Sequence, residues 1–332
     1  MFSRYSIGWD KVKTPYYVRK WIDEGVSIPF TVLPSPVDLP NYSLSHEEEL
    51  FVDNKIKELL SRSCVSRVDI KPVCVSPIGC TKKKGADKYR LITDMRYVNN
   101  YIEVPKTRYE DLSTLPEVVQ NYDYFATVDL KDGFHHVSIK NEYRKFFGFK
   151  WKGLYYQWNV LNFVCAISPY FFTKILRPVV QYFRECGVRC LLYVDDFLIC
   201  SKANDISVDI EKVVHILTEL GWSINTDKSN LTPCDTVEYL GLIISTSNEG
   251  IPVLRVPNSK ICKVRKDIKR ILKQKTVSAR VLSKVAGQCN FICKTVLPGR
   301  LKLRNVYRLI KTKEVWESQL ELDEGARNDL LW

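Results

Sequence analysis

The chain has 332 residues, 45% of them hydrophobic, and a net charge of +12 at pH 7. This length and apolar content suffice for a large core or two ordinary ones, which excludes an intrinsically disordered chain. The charge is uneven, because residues 255–311 hold 17 lysines and arginines and one acid, Asp267, so that this segment alone carries +16. A segment with so large an excess of positive charge is typical of a surface that binds a polyanion such as nucleic acid.

Eleven cysteines and four histidines occur without CxxC pairs or the spacing of a zinc site. We therefore predict small buried thiols in a reducing compartment. No apolar run approaches the ~18 residues that span a bilayer, and the first residues do not resemble a secretory signal. These patterns favour the cytoplasm or the nucleus.

In chain order, residues 1–44 contain five prolines and several aromatic residues, and we expect an arm laid over another surface. Ser45 and Glu48 form a capping-box pattern that predicts a helix to about residue 63. Residues 64–104 alternate strand-like runs with turns. Later patterns predict a strand at 122–128, helices at 166–186 and 204–221, a strand at 236–245, and basic helices from residue 257 onward.

The stretch LLYVDDFLIC (191–200) places Asp195 and Asp196 between two apolar, strand-like runs. Two residues between strands is the length of a tight hairpin loop. Adjacent carboxylates on such a tip either form an ordinary polar turn or bind hard divalent cations, which prefer oxygen ligands. On this stretch alone, both interpretations stay open.

The order strand, helix, hairpin, helix, strand over 122–245 predicts a split βαβ layout, an antiparallel sheet with helices on one face. In such a sheet Asp129, at the end of the first strand, lies beside the hairpin tip with Asp195 and Asp196. Three carboxylates around two divalent ions is the arrangement that supports nucleotidyl transfer. The sequence therefore predicts a metal-dependent transferase site.

Five motifs occur in the order found in the palm of reverse transcriptases: VDLKDGFHHV (128–137), LNFVCAISP (161–169), YVDD (193–196), the lysine of NTDKS (225–229) and VEYLGLII (237–244). The stretch KKKGADKYRLITDMRYVNNYI (82–102) resembles the fingers of the same family. The chain thus resembles a retrotransposon reverse transcriptase, with broader similarity to those of LTR retroelements. The stretches YFFTKILRPVV (170–180) and RVLSKVAGQ (280–288) are most similar to the DIRS/Ngaro group, which moves with a tyrosine recombinase.

The resemblance implies an α+β fold of the right-hand polymerase type and an RNA-directed DNA polymerase activity. Its domain boundaries would be an N-terminal arm at 1–44, fingers at 45–103 and 137–167, a palm at 104–136 and 168–247, and a basic helical thumb at 248–315. Residues 316–332 resemble the lead into a ribonuclease H domain, and we expect no ribonuclease H activity in this chain. The implied partners are an RNA or DNA template paired with a primer, and deoxynucleoside triphosphates.

The resemblance also assigns chemical roles. Asp129, Asp195 and Asp196 match the carboxylates that bind two Mg²⁺ ions, with Mn²⁺ as a substitute. Lys228 matches a lysine that protonates or neutralises the leaving pyrophosphate.

Further positions match residues that bind the substrates. Phe134 matches an aromatic gate that excludes a ribose 2′-OH, and Phe163 matches a residue near the nucleotide and template. Lys83 and Arg90 match finger residues that grip the triphosphate. The turn that supports the primer end is matched by Tyr239, Leu240 and Gly241.

Relatives usually carry Pro and Gly where this chain has Asn162 and Val164. Glycine serves at positive φ or close to a ligand, and a β-branched residue replaces it poorly, so we expect disturbed placement of template and nucleotide. Two alternatives stay open: a non-catalytic nucleic-acid-binding protein derived from a reverse transcriptase, and an RNA-dependent RNA polymerase, which Phe134 disfavours.

His135 and His136 are assigned no metal and are expected on opposite faces of a strand.

Overall fold

The computed structural model describes residues 5–82, 89–296 and 298–332. The chain divides into two compact units. The first unit comprises Met1–Val119 and Tyr124–Pro233, and the second comprises Gln120–Asp123 and Cys234–Trp332. Each unit has its own cluster of buried apolar residues.

The α-helices are α1 Ser6–Lys11, α2 Tyr16–Glu24, α3 His46–Ser61, α4 Arg96–Asn99, α5 Leu115–Val118, α6 Asn141–Arg144, α7 Ser168–Glu185, α8 Ile206–Glu219, α9 Asn258–Leu272, α10 Ala279–Ile292, α11 Arg304–Lys311 and α12 Glu324–Leu331. Short 3₁₀ helices cover Leu112–Thr114, Gly133–His136 and Leu301–Leu303.

The strands are β1 Val37–Asp38, β2 Val65–Val68, β3 Cys74–Ser76, β4 Ile78–Lys82, β5 Tyr89–Thr93, β6 Asp123–Asp129, β7 Gly148–Trp151, β8 Leu154–Trp158, β9 Arg189–Tyr193, β10 Asp196–Lys202, β11 Asn230–Cys234, β12 Thr236–Tyr239, β13 Leu242–Thr246, β14 Pro252–Arg255, β15 Thr276–Ser278 and β16 Gln319–Glu321.

Within the described residues, the first unit contains three sheets. A five-stranded sheet has the order β1-β3-β7-β8-β2, β4 and β5 form a separate hairpin, and a four-stranded sheet has the order β11-β6-β10-β9. Helix α7 packs on β9 and α8 packs on β10. The four-stranded sheet carries the predicted carboxylates, so its register positions the site.

Local sequence explains the main helices of this unit. The Ser45 hydroxyl accepts the Glu48 N–H while the Glu48 carboxylate accepts the Ser45 N–H, which confirms the capping box that starts α3. In α7, Phe171, Ile175 and Val179 recur at four-residue intervals and are all buried. Such a stripe gives a helix one apolar face to pack against a sheet.

Residues of the predicted arm at 1–44 contribute to the first core. Trp9, Val18 and Ile22 are buried within that cluster. The Trp9 ring also lies edge-on to Trp222, with centroids 6.5 Å apart.

The second unit contains the three-stranded sheet β12-β13-β14, the pair β15-β16 and helices α9 to α12. Strand β16 pairs antiparallel with β15. Leu320, Leu322, Ala326 and Leu330 belong to the buried cluster of this unit. Residues 319–331 are therefore an integral part of its fold.

Two sequence predictions need correction. The run 236–245 is not one strand, because Leu240 and Gly241 both have positive φ, at 47° and 77°, and turn the chain between β12 and β13. The fourth strand of the split βαβ sheet is consequently β11 rather than 236–245. Two positive φ angles in a two-residue loop suit the twist of a β-hairpin.

All eleven cysteines are free thiols, and five of them are buried, whereas Cys186 and Cys262 are exposed. In the described part of the chain, no helix combines the length and apolarity needed to cross a bilayer.

Neighbouring leucines of α12 test the packing of the closing segment. Leu330 is 5% exposed and Leu331 is 69% exposed. We expect Leu330→Ala to lower the free energy of unfolding of the second unit by about 2–4 kcal/mol, because it leaves a cavity. The matched control Leu331→Ala should change it by less than about 0.5 kcal/mol. Urea unfolding measures both, and equal effects would show that α12 is not packed in this core.

Candidate active site

The hairpin of β9 and β10 closes with Tyr193 opposite Asp196. Its two-residue loop is therefore Val194–Asp195, and the predicted loop Asp195–Asp196 is off by one residue. Val194 has a φ of 55°, whereas Asp195 is not among the described residues with positive φ, which is the pattern of a type II′ turn. A β-branched residue rarely adopts this region, so the tip is a strained turn held by the surrounding sheet.

Asp129 is the last residue of β6, which neighbours β10 in the sheet. The Leu130 N–H donates to the carbonyl oxygen of Asp195 across 3.3 Å. The sheet thus places the end of β6 beside the hairpin tip, as the strand order predicts, and Asp129, Asp195 and Asp196 interact electrostatically there.

The three carboxylates are partly buried, and burial disfavours their ionised form. Burial first, and then the negative charges of Asp195 and Asp129, raises the pKa of Asp196 to about 6. Burial, together with the charge of Asp129, also raises the pKa of Asp195, while Lys228 opposes that rise. A cation at this end of the sheet would relieve the repulsion.

Two side chains engage the two oxygens of Asp129. The Asn225 amide donates to Oδ1 at 2.7 Å, and the Lys228 ammonium lies 3.5 Å from Oδ2. The Asp129 side chain is 13% exposed and that of Lys228 is 69% exposed. Lys228 therefore lies beside Asp129, and its role stays a prediction.

The carboxylate oxygens at this site suit a hard divalent ion, and the charges of neighbouring carboxylates add to burial in raising the pKa of Asp195 and of Asp196. Within residues 5–82, 89–296 and 298–332, no group of three or more His, Cys, Asp or Glu side chains forms a ready-made metal cluster. Asp129 accepts a hydrogen bond from Asn225 and pairs with Lys228. Binding of an ion at Asp129 would require Lys228 to move aside.

Phe134 lies in the 3₁₀ helix Gly133–His136 and is only 8% exposed. The rings of Phe163 and Phe172 lie on it, each with its centroid 5.0 Å away. A Cβ at Gly133 would come within 2.7 Å of the Phe172 ring, so glycine permits this packing. Phe163 is 54% exposed and presents the accessible ring of the cluster.

The two histidines occupy the same 3₁₀ helix, so the prediction of opposite strand faces is wrong. His135 packs between Trp158 and Phe163, and burial lowers its pKa to about 4. His136 bonds the carbonyl of Gly133 and the hydroxyl of Ser223. Both contribute to packing beside the site.

Asn162 and Val164, which stand where relatives usually carry Pro and Gly, lie in a loop that side-chain hydrogen bonds hold. Asn162 is buried, and its Oδ1 accepts the N–H groups of Val164 and Cys165 at 3.1 and 2.9 Å. Asn99 donates to the Val164 carbonyl and accepts the Ala166 N–H, both at 2.9 Å. Val164 is not among the described residues with positive φ, so the expectation that this position needs glycine for its φ is wrong.

The predicted finger pair is only partly described. Lys83 lies outside the described residues. Arg90 is exposed on β5, opposite Thr81 of β4.

The predicted primer-supporting turn belongs to the second unit. Tyr239 is buried at the end of β12, and Leu240–Gly241 form the loop. The Lys260 ammonium donates to the Gly241 carbonyl at 2.5 Å and lies 4.9 Å from the centre of the Phe291 ring. The loop is thereby tied to α9.

Sequence reasoning missed Asn225, Ser229 and Asn99, which hold the site through hydrogen bonds. Asn225 and Ser229 flank Lys228 in the motif NTDKS. The spacing of the motifs predicted a role for Lys228. It carries no signal that Asn225 and Ser229 hydrogen-bond Asp129, because those bonds depend on how the turn at 225–229 packs against β6.

Residues 81–244 match the model of the family described as reverse transcriptase (RNA-dependent DNA polymerase). This segment, which carries Asp129, Asp195, Asp196 and Lys228, is therefore similar in sequence to reverse transcriptase domains.

Three curated relatives extend the match. The Gag-Pol polyprotein of walleye dermal sarcoma virus is 29% identical over 182 residues, or 54% of this chain and 10% of that protein. The putative enzymatic polyprotein of cassava vein mosaic virus is 24% identical over 96% of this chain and 46% of its own length. The retrovirus-related Pol polyprotein from transposon gypsy of Drosophila melanogaster is 29% identical over 59% of this chain and 19% of its own length. The chain spans less than half the length of each.

Solved structures of a foamy viral protease-reverse transcriptase share the fold. One in complex with double-stranded DNA has a TM-score of 0.71 at 18% identity, covering 95% of this chain and 58% of that one. Another, in complex with an RNA/DNA hybrid, has a TM-score of 0.67 at 19% identity, covering 95% of this chain and 42% of that one. The right-hand polymerase fold is thus confirmed. The sequence similarity is to reverse transcriptases and to Pol polyproteins of retroelements.

The raised pKa of Asp196 predicts a pH-dependent stability. Between its ordinary value of 3.8 and about 6, the folded chain binds more protons than the unfolded chain, so stability falls as pH rises through this window. In chelator-containing buffer we expect Asp196→Asn to raise the melting temperature at about pH 8 and to lose this advantage below about pH 4.

The exposed Asp227 supplies the control for that experiment. Asp227→Asn should leave the melting temperature unchanged across the same pH range. An advantage of Asp196→Asn that grows toward acid would contradict the predicted sign.

The asparagine at 162 can be tested in the same way. Asn162→Ala leaves the N–H groups of Val164 and Cys165 without their acceptor, which should cost about 1–3 kcal/mol of unfolding free energy. Asn141→Ala, at an exposed position, is the control. Val164→Gly should give no stabilisation, and a clear gain in urea unfolding would show that the backbone at 164 is strained.

Proposed function

We propose that the protein is an RNA-directed DNA polymerase that adds deoxynucleotides to a primer 3′-OH. The observation that carries this proposal is the position of Asp129, at the end of β6, beside the strained tip that bears Asp195 and Asp196, inside the segment matched by the reverse transcriptase family. Neighbouring carboxylates with raised pKa values, such as Asp195 and Asp196, are expected at a functional site rather than at an ordinary turn.

Asp129, Asp195 and Asp196 would hold two divalent ions, Mg²⁺ or Mn²⁺. When bound, such ions activate the attacking hydroxyl and stabilise the leaving pyrophosphate. The protein's own contribution is a fixed set of partly buried oxygen ligands on a rigid sheet.

Lys228 would neutralise or protonate the leaving pyrophosphate. Its exposed side chain reaches the site while its backbone is fixed by a bond from the Lys228 N–H to the Asn225 carbonyl at 3.1 Å. An exposed ion pair such as that with Asp129 is weak, so the ammonium can exchange the carboxylate for a phosphate oxygen.

Phe134 and Phe163 would select the nucleotide. Phe134 is wedged against Phe172 and cannot readily retreat, which suits a steric gate against a 2′-OH. The exposed ring of Phe163 covers it and would contact nucleotide or template. Arg90, with Lys83, would bind the triphosphate through charge-assisted hydrogen bonds.

The second unit would bind the template-primer duplex. On α9, Lys263, Arg265, Lys266 and Lys269 are exposed, and none of them has an ion-pair partner within the described residues. Contacts of such side chains with phosphates give an affinity that falls with salt. Tyr239, Leu240 and Gly241 would support the primer end.

The finer predictions belong to this proposal as well. They are the arm, finger, palm and thumb boundaries drawn from the sequence, membership of the DIRS/Ngaro group, and a place of action in the cytoplasm or nucleus. The alternatives, a non-catalytic nucleic-acid-binding derivative and an RNA-dependent RNA polymerase, are outcomes of the experiment that follows.

Primer extension tests the proposal directly. With an RNA template, a DNA primer, deoxynucleotides and Mg²⁺, we expect extension by the wild-type protein and its loss, by a factor of at least about 1,000, in Asp195→Asn/Asp196→Asn, because the reaction loses its metal ligands. Asp227→Asn, which removes one exposed carboxylate close to Lys228 in the chain, is the control and should extend normally.

Other results would favour the alternatives. Salt-sensitive binding of the duplex without extension would favour the non-catalytic derivative. Extension with ribonucleotides as efficient as with deoxynucleotides would favour an RNA polymerase and remove the role proposed for Phe134.

A further inference from the structure

A short segment after α8 pairs with the residues that follow β6. The Asn225 N–H donates to the Asp129 carbonyl at 2.9 Å, and the Lys131 N–H donates to the Ser223 carbonyl at 2.8 Å. An antiparallel bridge joins Leu130 and Ile224 between them. The turn that carries Asn225 and Lys228 is therefore fixed to the backbone of Asp129.

Side chains complete this attachment. The Ser229 hydroxyl donates to the Asn225 carbonyl at 2.8 Å and accepts the Asp129 N–H at 3.0 Å. The Asn225 amide donates to Asp129 Oδ1 at 2.7 Å. Asp129 is consequently held at its N–H, its carbonyl and one carboxylate oxygen by two neighbouring polar residues.

The two interactions of the carboxylate are unequal. The Asn225 bond is short and partly buried, whereas the Lys228 pair spans 3.5 Å to a side chain that is 69% exposed. A partly buried hydrogen bond to a charged group is worth more than an exposed ion pair. Oδ1 is therefore fixed in place, and Oδ2 is the oxygen whose partner can be exchanged.

We propose that Asn225 is a positioning residue: its amide fixes the Asp129 carboxylate so that Oδ2 is presented to a divalent cation, and Ser229 holds Asn225 in place. This inference rests on the proposed function, because it gives Asp129 the role of a metal ligand. A neutral amide suits the task, since it orients the carboxylate without cancelling its charge. Groups that orient metal ligands in this way typically change metal affinity or activity by roughly 10–100-fold when removed.

The first test measures Mn²⁺ binding to the full chain by electron paramagnetic resonance, without nucleic acid or nucleotide. We expect Asn225→Ala to weaken Mn²⁺ affinity by about 10-fold and Ser229→Ala to weaken it by a smaller factor. Thr226→Ala, at an exposed neighbouring position, is the matched control and should bind as the wild type does. Asp129→Asn defines the part of the binding that depends on this carboxylate.

Primer extension supplies a second readout. A positioning role predicts that Asn225→Ala raises the Mn²⁺ concentration needed for half-maximal rate, while the rate at saturating Mn²⁺ recovers to within a few-fold of wild type. A purely structural role would lower the rate at every metal concentration. Melting curves identify misfolded variants, and if Asn225→Ala does not fold, Ser229→Ala carries the test.

The results of these experiments distinguish the positioning role of Asn225 from the proposed polymerase function. Unchanged Mn²⁺ affinity in Asn225→Ala, or Mn²⁺ binding by the wild type that does not depend on Asp129, would overturn the positioning role. Asp129-dependent binding that weakens in Asn225→Ala would support it even if the wild type fails to extend a primer, and that failure would count against the polymerase function alone.

Discussion

Repulsion among three partly buried carboxylates is the constraint on which the rest of the site depends. Asp129, Asp195 and Asp196 are held at one end of a sheet where burial and their mutual charge raise the pKa of Asp196 to about 6. Left to themselves, such groups separate or take up protons. The register of β6, β9 and β10 prevents separation, because it is fixed by backbone hydrogen bonds and by the buried residues of the same strands.

Local strain accompanies this constraint. Val194 adopts a φ of 55° at the tip, and Leu240 adopts 47° in the turn proposed to support the primer. Neither residue favours this region, so each turn depends on the strands on both sides of it. The loop that carries Phe163 is held differently, because the side chains of Asn162 and Asn99 form hydrogen bonds with its backbone. Side-chain hydrogen bonds here replace the proline and glycine that the resemblance leads one to expect.

Periodicity and capping in the sequence predicted α3, α7 and α8 to within a few residues, because each has a long apolar stripe or a clear start signal. The same reasoning misplaced the hairpin loop by one residue and merged β12 with β13. Both errors concern positive φ at a residue other than glycine, at Val194 and Leu240. Composition carries no signal for such angles, since they arise from strand pairing on either side of the turn.

The sequence by itself predicted a reverse transcriptase-like chain with Asp129, Asp195, Asp196 and Lys228 as candidate site residues, because the order and spacing of their motifs carry that information. Only the tertiary structure decided that Asn225 and Ser229 brace Asp129, that Phe163 covers Phe134, and that residues 319–331 pack into the second core. These contacts join residues up to about a hundred positions apart. Such contacts follow from how sheets and helices pack, and no local pattern of residues encodes them.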